Sequence, residues 1–345
     1  MPPLSDDAIE GLRRREFPAM RGRAYLDFAT FGPPPAAHVR AASEALERTA
    51  REGSAGLNGT ALLESVREEA ATLLHCTARN VCLLTSTSEG MGLLAGGLDR
   101  RPGDEVIVLG REFEGCVAPF RHLDLRVAET AAAIPDLVGR RTRAVALSLV
   151  DRLTGARAPV EAIAAACREH GAWLALDAAQ AMGALDLDAP AMGADIVSAH
   201  GYKFLLSGFG LAPTYCSDRA LAELPVPRPG WKNAGAEQDS AARFEPTMSP
   251  LPVLAGMRES LRLLNSVDGA ERERRAIAAA KAIARRLALP DPRSTIVSVP
   301  HPEAEKVAAE LRSGGVIAGA VSGSVRFSTH FFTTAADVDA LPSRL

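Results

Sequence analysis

The stretch 173–203, WLALDAAQAMGALDLDAPAMGADIVSAHGYK, contains two apolar runs, and residues able to carry chemistry follow each of them. The first run is typical of a buried strand and ends in an acid, Asp177. The second run, 195–198, is followed at once by HGYK (200–203), which ends in an amine. Parallel strands end at one edge of a sheet, so the acid and the amine would meet there. Taken alone, an acid such as Asp177 is more often a helix or turn cap, and a single lysine is more often a solvated surface charge. The other motifs of the chain therefore decide whether the two residues are catalytic.

Short apolar runs alternate with helical patterns on the amino-terminal side of this stretch. Strands are predicted at 81–84, 105–109, 124–127, 144–150 and 173–176, and helices at 89–97 and from Pro159 to Gly171. The runs are apolar throughout, as expected when helices cover both faces of a sheet. The order predicts a three-layer α/β domain with a mostly parallel sheet.

The segments on either side complete the predicted organisation. Helices are expected at 5–16 (capped by Ser5), 35–52, 60–75, 251–265, 268–288, 303–313 and from Ala335, with an antiparallel return strand at 211–216 and further strands at 294–299 and around Val316 and Val325. In the helix 60–75, Arg67 is predicted to lie off the apolar face. The expected divisions are an N-terminal segment 1–20, a large α/β domain 21–245 and a small C-terminal α+β domain 246–345.

The composition excludes several classes of protein. The chain has 345 residues, 47% of them hydrophobic and 23% charged, as in a globular protein with a substantial core. A net charge of −3 gives no electrostatic reason for a nucleic-acid partner. The five cysteines are scattered without a CxxC pair, so no disulfide framework or thiolate metal site is expected. No run approaches the ~20 apolar residues of a membrane span, and no signal peptide is visible. We expect a cytoplasmic protein without a membrane or metal partner.

A hydroxyl-rich turn follows the first predicted strand, in LLTSTSEGMG (83–92). Thr87 and Ser88 would offer hydroxyl and backbone N–H groups at a helix N-terminus, where an anion is favoured. The alternative is a helix whose first turn is simply capped by a hydroxyl.

Together with five further motifs, this turn resembles the class V aminotransferase family of fold type I pyridoxal phosphate enzymes. The resemblance covers about residues 24–340 and is closest to the branch with isopenicillin N epimerase-like proteins, cysteine desulfurases and kynureninase-like lyases. The motifs are YLDFATFGPPP (25–35), REFEGCVAPF (111–120), LALDAAQ (174–180), DIVSAHGYKFLLSGFG (195–210) and GSVRFSTHFFTTAADVDAL (323–341). The resemblance implies a fold type I large domain and pyridoxal 5′-phosphate as cofactor.

The resemblance also implies roles around the cofactor ring. Asp177 would pair with the pyridine nitrogen, and Lys203 would form the Schiff base and move the α-proton. Gln180 would approach the phenolic oxygen, and Phe113 would stack on the ring.

The remaining implied cofactor contacts lie at the phosphate. Thr87 and Ser88 would bind it, and His200 and Tyr202 would contact the phosphate or the edge of the ring.

The substrate side is implied by the two ends of the chain. Arg326 would hold the substrate α-carboxylate in a bidentate fork. Thr30 would lie near the substrate. The family forms homodimers with sites at the subunit boundary, so the segment 228–233 is a candidate for contacts to the neighbouring cofactor.

The sequence departs from the family pattern in three places. The segment RSGGVIAGAVSGSVRFS (312–328), which leads up to and includes Arg326, contains no cysteine, so persulfide chemistry on an enzyme cysteine is not expected. In the loop LVDRLTGAR (149–157), the charged residues Asp151 and Arg152 stand where desulfurase-like members of the family have a polar loop whose Asn contacts the cofactor. The two charges are either a substrate-recognition pair, with Arg152 at the substrate, or a solvated salt bridge. The small domain is also short.

These features predict an enzyme acting on an α-amino acid, a small-molecule substrate, through Schiff-base and α-carbanion chemistry. The main interpretation is amino-group transfer. The alternative is a C–S β-lyase or an epimerase acting on a cysteine-derived substrate, and a distant one is a non-catalytic family member.

Overall fold

A computed structural model of the chain describes residues 5–56, 58–99, 101–235 and 239–345. Its strands are β1 (Ala24–Tyr25), β2 (Val81–Leu84), β3 (Glu105–Leu109), β4 (Leu125–Ala128), β5 (Thr142–Ser148), β6 (Trp173–Asp177), β7 (Ile196–Ser198), β8 (Ala212–Cys216), β9 (Ile296–Pro300), β10 (Val316–Ile317), β11 (Gly319–Val321) and β12 (Ser324–Ser328). Its α-helices are α1 (Asp6–Glu16), α2 (Ala36–Glu52), α3 (Gly59–Leu73), α4 (Thr87–Gly97), α5 (Glu114–Val117), α6 (Ile134–Leu137), α7 (Val160–His170), α8 (Asp218–Glu223), α9 (Leu251–Asn265), α10 (Gly269–Arg286), α11 (Ala304–Ser313) and α12 (Ala335–Asp339).

The large sheet has the strand order β2-β8-β7-β6-β5-β3-β4. Its strands from β4 to β7 pair in parallel, and β8 runs antiparallel between β7 and β2. The predicted α/β class with a mostly parallel sheet is confirmed, as is the antiparallel return strand. Because β6 pairs with β5 and β7, Asp177 lies between Ser148 and Ser198 at the carboxyl edge.

Alternate residues of the central strands pack into different cores. Ile107, Val145 and Leu174 belong to one apolar cluster, whereas Val106 and Ala144 belong to a second. Successive side chains of a strand point to opposite faces, so each face of the sheet is covered by its own hydrophobic layer. Burial on both faces explains why these strands lack polar alternation in the sequence.

Strand β5 and helix α4 each begin two residues earlier than the sequence predicted. Strand β5 runs from Thr142 to Ser148 rather than over 144–150, and α4 starts at Thr87 rather than at Glu89. The Ser86 side chain accepts the backbone N–H of Glu89 and caps α4 one residue before Thr87. Thr87 and Ser88 therefore lie in the first turn of the helix and not in the loop before it.

The prediction for Arg67 is wrong. Its side chain lies in the interior, 3% exposed, on the same side of α3 as Leu63 and Val66. The guanidinium contacts both carboxylate oxygens of Glu245, at 2.7 and 2.6 Å. A buried charge is tolerated because it meets a buried partner, which helical periodicity alone does not reveal.

The C-terminal part of the chain forms a small antiparallel sheet in the order β11-β12-β9. Alanines and aliphatic residues of α10 and α11 pack on it and form a third apolar cluster. The division of the chain into a large domain 21–245 and a small domain 246–345 stays a prediction. Near its amino end, the chain also joins this region, because β1 pairs in parallel with β10.

Helix α1 extends that connection. The Ser5 side chain accepts the Ala8 N–H, as predicted for a capped helix. The Arg13 guanidinium forms a buried ion pair with Asp337, with Nη2 2.9 Å from Oδ1. A β-bridge between Asp27 and Ser328 is a further contact between the amino-terminal residues and the small sheet. Residues 1–4 of the predicted N-terminal segment lie outside the described residues.

None of the helices in the described ranges combines the length and the apolar composition needed to cross a bilayer.

Candidate active site

Asp177 is the acid at the carboxyl edge of the large sheet. It is the last residue of β6, and its side chain is buried. The Ala179 N–H donates to its Oδ1 at 2.8 Å. Burial raises the pKa of Asp177 to about 6, while the Ala179 N–H and the Lys203 charge act in the opposite direction. The carboxylate therefore has little stabilisation from the protein and remains available to a cationic ligand group.

Lys203 lies on the turn after β7, and its charge interacts with the charge of Asp177. Its Nζ is 5.8 Å from the ring centre of Phe113 and 5.9 Å from that of Tyr202. Burial lowers the pKa of Lys203 to about 8; Asp177 opposes this fall, and Arg326 and Arg152 add to it. A substantial fraction of the amine is therefore neutral just above neutral pH, as a nucleophile or a base requires.

The turn that carries Lys203 is fixed by the backbone. The Gly32 N–H donates to the Tyr202 carbonyl at 2.8 Å, and the Leu206 N–H donates to the Lys203 carbonyl at 3.0 Å. A Cβ at Gly32 would collide with the Lys203 carbonyl, so this close approach needs glycine. The motif at 25–35 thus supports the turn at 200–203.

His200 connects this turn to α4. Its Nδ1 lies 2.8 Å from the Thr87 hydroxyl, which also accepts the His200 backbone N–H at 2.9 Å. The imidazole stacks on the Tyr202 ring with 4.0 Å between centres. Burial and the Lys203 charge lower the pKa of His200 to about 3, so the ring is neutral. Its Nε2 is buried without a hydrogen-bond partner, and this is the kind of atom that a ligand satisfies.

A cavity of about 230 Å³ opens between α4 and this turn. It is lined by Thr85, Ser86, Thr87, Ser88, Phe113, Gly115, Asp177, His200, Tyr202, Phe209 and Gly210. The N-terminus of α4, with its hydroxyls, favours an anion at one end of the cavity, and Asp177 favours a cation. A small ligand with an anionic group and a basic ring matches this arrangement.

Close packing holds the anion end in place. A Cβ at Gly90 would collide with Ser198 and Thr214, so α4 lies directly on β7 and β8. Glu89, in the first turn, does not remain an uncompensated negative charge, because its carboxylate accepts from Thr85 and pairs with Arg228 at 2.8 Å.

Gln180 and the segment around Ala29 form another wall. The Gln180 Nε2 donates to the Ala29 carbonyl at 3.2 Å, and the Oε1 is buried without a partner. The Ala29 N–H donates to Ser328 Oγ at 2.8 Å. Through these contacts the motifs at 25–35, 174–180 and 323–341 meet at one place.

Arg326 lies on β12 at that meeting place, 4% exposed. Its Nη2 donates to Thr30 Oγ1 at 2.7 Å, and its Nη1 donates to the Arg152 carbonyl at 2.8 Å. Its Nε is buried without a partner, and Asp27 Oδ1 lies 3.9 Å from Nη2. Burial lowers the pKa of Arg326, and a carboxylate ligand would compensate for that burial.

Of the two alternatives for the loop 149–157, the salt bridge between Asp151 and Arg152 is not formed. Asp151 Oδ1 accepts the N–H groups of Leu153 and Thr154, at 2.8 and 2.7 Å, and so closes the turn. The Arg152 guanidinium lies over the Phe113 ring, 5.6 Å from its centre. The two charges therefore act separately.

The structure adds residues that the sequence did not single out. Asp27 lies beside Thr30 and Arg326, and burial raises the pKa of its carboxyl to about 6. The family pattern has Asn at this position of YLDFATFGPPP, and that difference was the available signal. A Cβ at Gly115 would come within 2.8 Å of Ser88 Oγ and 3.0 Å of the Phe113 ring, so the backbone approaches both side chains too closely for another residue. Nothing in the sequence marked it.

The segment 228–233 contacts its own chain. Asn233 Oδ1 accepts the Gly230 N–H at 2.7 Å, and Lys232 pairs with Glu245. Its expected contact with a neighbouring cofactor stays a prediction.

An acid at a strand end, a buried amine after the next strand and a helix N-terminus are the groups that a pyridoxal phosphate enzyme needs at its site. The unpartnered Nε2 of His200 and Oε1 of Gln180 fit such a ligand. The sequence model of the aminotransferase class-V family matches residues 24–313. The chain belongs to that family, and its cofactor is pyridoxal 5′-phosphate.

Two similar proteins are named as probable cysteine desulfurases. A probable cysteine desulfurase of Methanothermobacter thermautotrophicus is 32% identical over 228 residues, which cover 61% of this chain and 57% of that protein. A probable cysteine desulfurase of Pseudomonas aeruginosa is 29% identical over 241 residues, covering 61% and 59%. The chain thus spans less than two thirds of the curated relatives it matches.

Solved structures share the fold. The cystine C–S lyase C-DES, in complex with its reaction product cysteine persulfide, superposes with a TM-score of 0.86 at 21% identity, covering 94% of this chain and 97% of that chain. The apo cysteine desulfurase of Thermococcus onnurineus gives a TM-score of 0.83 at 20% identity, covering 96% and 95%. The fold type I architecture is therefore confirmed.

Proposed function

We propose that this enzyme is a C–S β-lyase acting on a cysteine-derived α-amino acid. The α-proton is removed, and the Cβ–S bond breaks with its electron pair leaving on sulfur. One water is consumed. The products are a sulfur compound carrying the added proton, pyruvate and ammonium, so that atoms and charges balance. Pyridoxal 5′-phosphate, when bound, supplies an electron sink for the negative charge that develops at Cα.

The observation that carries the proposal is the buried amine of Lys203 beside Asp177. With a pKa of about 8, the Nζ can take a proton near neutral pH. Lys203 would hold the aldehyde of the cofactor and then, once displaced by the substrate amine, act as the base at Cα. Asp177 would hold a proton on the pyridine nitrogen, and its poorly solvated carboxylate favours that ion pair.

The other side chains would orient the ligands. Thr87 and Ser88 would bind the phosphate at the start of α4, with His200 and Tyr202 at the ring edge and Gln180 at the phenolic oxygen. Phe113 would stack on the ring. Partial exposure of 42% leaves this aromatic face available at the cavity.

Arg326 would fix the substrate α-carboxylate. The side chain is already held by Thr30 and by the Arg152 carbonyl, at 2.7 and 2.8 Å. A preorganised guanidinium loses little freedom when it binds a carboxylate, so it can set the direction of the Cα–H bond.

The position of the cysteines favours elimination over transfer of sulfur to the enzyme. Cys82, Cys116, Cys167 and Cys216 are buried, and none of the five cysteines precedes Arg326 in the small domain. Burial raises the pKa of Cys116 far above its usual range, so this thiol, although near Asp177, is a poor nucleophile. Sulfur would therefore leave with the product. The cystine C–S lyase among the solved structures offers a precedent for such a reaction on this fold.

The test is a product assay with purified holoenzyme and amino acids that carry sulfur at Cβ, including cysteine and cystine. Elimination predicts pyruvate and ammonium in equal amounts, over many turnovers, with the cofactor absorbance restored. Alanine as the amino acid product would indicate desulfurase chemistry instead. A keto acid that retains sulfur, formed once per site without ammonium, would indicate amino-group transfer.

We further propose that the protein is a homodimer. The side chains of Val39 and Leu46 on α2, and of Phe209 and Trp231, are large, apolar and more than half exposed. Such side chains commonly lie in interfaces. Light scattering after size-exclusion chromatography should give twice the mass of the chain, and a monomer at micromolar concentration would contradict this.

A further inference from the structure

Arg152 carries a buried donor that the protein does not use. Its Nε is inaccessible to water and lacks a hydrogen-bond partner. Among the residues that the structure describes, no carboxylate lies within ion-pair distance of its guanidinium. The contact that the side chain does make is with the face of the Phe113 ring. A buried arginine donor without an acceptor is costly unless a ligand provides one.

The neighbouring acid is engaged elsewhere. Asp151 Oδ1 accepts two backbone N–H groups of its own turn, from Leu153 and Thr154. Since Asp151 stabilises the loop backbone, it fixes where Arg152 lies without neutralising it. The loop therefore presents a positive charge and keeps its negative charge in the turn.

The guanidinium is directed toward the candidate active site. Arg152 and the Lys203 amine both lie over the ring of Phe113, at 5.6 and 5.8 Å from its centre. The charge of Arg152 lowers the pKa of Lys203 and the pKa of Arg326, so Arg152 interacts electrostatically with both groups. Both arginines converge on the place where the substrate is expected.

The two arginines are not equivalent, however. Arg326 is held by Thr30 and by a backbone carbonyl, and Asp27 partly balances its charge. Within the described part of the chain, the Arg152 side chain has no hydrogen-bond acceptor at Nε and no carboxylate at ion-pair distance. One α-carboxylate would satisfy Arg326 and would leave Arg152 uncompensated. The site thus has one more positive charge than an amino acid with a single carboxylate can use.

We propose that Arg152 binds a second anionic group, at the end of the substrate remote from its α-carboxylate. The substrate class would be amino acids whose Cβ sulfur bears an acidic substituent, such as a carboxylate. The presence of sulfur in this substrate class rests on the proposed lyase function. The preference for a ligand with two acidic groups does not depend on cleavage of the Cβ–S bond. It makes Arg152 the residue that determines specificity.

The first experiment measures binding without turnover. Calorimetry with holoenzyme compares glutarate with pentanoate, which has the same chain length and one carboxylate. We expect glutarate to bind about 10- to 100-fold more tightly, the range for one charged hydrogen-bonding contact. In Arg152→Gln the ratio should fall to about one, and in Arg152→Lys it should be intermediate, because the planar fork is lost.

The control is Arg140→Gln, which makes the same charge change at an exposed residue two positions before β5. It should keep the wild-type ratio. If Arg152→Gln weakened the binding of both acids equally, Arg152 would bind the α-carboxylate and the proposal would be overturned. It would also be overturned by a loss of cofactor affinity in Arg152→Gln with an unchanged ratio, because Arg152 would then contact the cofactor.

The second experiment separates this inference from the lyase function. Mixed disulfides of cysteine with 3-mercaptopropionate and with 3-mercaptopropionamide are compared by kcat/KM. A preference for the acid of about 10-fold or more, lost in Arg152→Gln, supports both proposals. Equal cleavage of the two overturns the second-anion site and leaves the lyase function standing. Cleavage of neither, with the glutarate preference intact, supports the site and overturns the lyase function.

Discussion

Asp177 and Glu245 are both carboxylates in the interior, 4% and 1% exposed, yet their surroundings differ. The Glu245 carboxylate accepts hydrogen bonds from Arg67 Nη2, at 2.6 and 2.7 Å, and from the Lys232 amine. It also accepts the Leu83 N–H at 2.8 Å. Asp177 has the Ala179 N–H as its one hydrogen bond within the described residues.

The difference separates a structural charge from a functional one. A buried carboxylate surrounded by donors holds elements together, here α3, β2 and the segment before α9. A buried carboxylate with unused lone pairs pays a desolvation penalty that only a ligand can offset. Burial raises the pKa of Asp177 to about 6, and the single Ala179 N–H offsets only part of that rise.

The largest effect is expected from Lys203→Ala, which removes the amine that Asp177 faces. We expect β-elimination to fall by about 10⁴-fold, the upper end for the loss of a positioned base. The melting temperature should not fall, because a desolvated charge is removed. Initial rates of pyruvate formation and a thermal melt check this. A Lys232→Ala control removes a lysine from the Glu245 group instead and should keep the holoenzyme spectrum.

Asp177→Asn is the next test and should change chemistry rather than stability. Losing a charged contact to the pyridine nitrogen should lower kcat by about 100-fold. Because a neutral amide is easier to bury than a carboxylate, the free energy of unfolding should stay equal or rise. Kinetics and urea denaturation distinguish these outcomes. A variant that unfolds readily would place Asp177 with the structural charges.

Glu245→Gln should show the opposite pattern. Removing one partner of a buried ion pair leaves Arg67 uncompensated, and we expect a loss of about 3–5 kcal/mol in the free energy of unfolding. The remaining folded protein should keep its kcat, since Glu245 is not among the residues lining the cavity. Urea denaturation and kcat per folded molecule are the measurements. A fall in kcat as large as that expected for Asp177→Asn would contradict the distinction between a structural and a functional carboxylate.

The smallest effect concerns the pH dependence of Lys203 in the cofactor-free protein. Burial places the folded pKa of Lys203 at about 8, below its usual 10.5, so the amine is mostly charged below pH 8 and mostly neutral above it. Labelling of this amine should rise about tenfold from pH 7 to pH 9 as the proton is lost. Mass spectrometry of the labelled peptide reports it. Asp177→Asn should move the midpoint to lower pH, and Glu245→Gln should leave it unchanged.

Stability should follow the same linkage. As the folded pKa of Lys203 is below the unfolded value, the unfolded chain binds more protons between pH 8 and 10.5, and this residue makes stability rise with pH there. For Asp177 the folded pKa is raised, so its contribution to stability grows as pH falls from about 6 toward 3.8.

Much of the fold could be predicted because local patterns and global structure agree. Strands β2 and β3 follow directly from their apolar runs, and Gly171 ends α7 in the left-handed conformation its position predicts, with φ 70°. The turn at 200–203 and the acid at Asp177 were recognisable because their separation along the chain is short.

What could not be predicted depends on contacts that are distant in sequence. The partner of Arg67 lies 178 residues away, and nothing in the pattern of α3 indicates it. Similarly, the separation of Asp151 from Arg152 depends on turn hydrogen bonds that two adjacent charges do not reveal. The significance of Asp27 depends on its bridge to Ser328 of β12, which brings its Oδ1 within 3.9 Å of Arg326 Nη2.

The joining of the two ends of the chain has a consequence for synthesis on the ribosome. Strand β1 needs β10, and Arg13 needs Asp337, a partner 324 residues later. The β-sheet residues from 81 to 216 can pair as they emerge, whereas the first helix must wait for the last part of the small domain. During that interval Phe17 lacks Phe332, on whose ring it stacks with 4.4 Å between centres. Completion of this closure, rather than formation of the large sheet, would set when the nascent protein stops needing protection from aggregation.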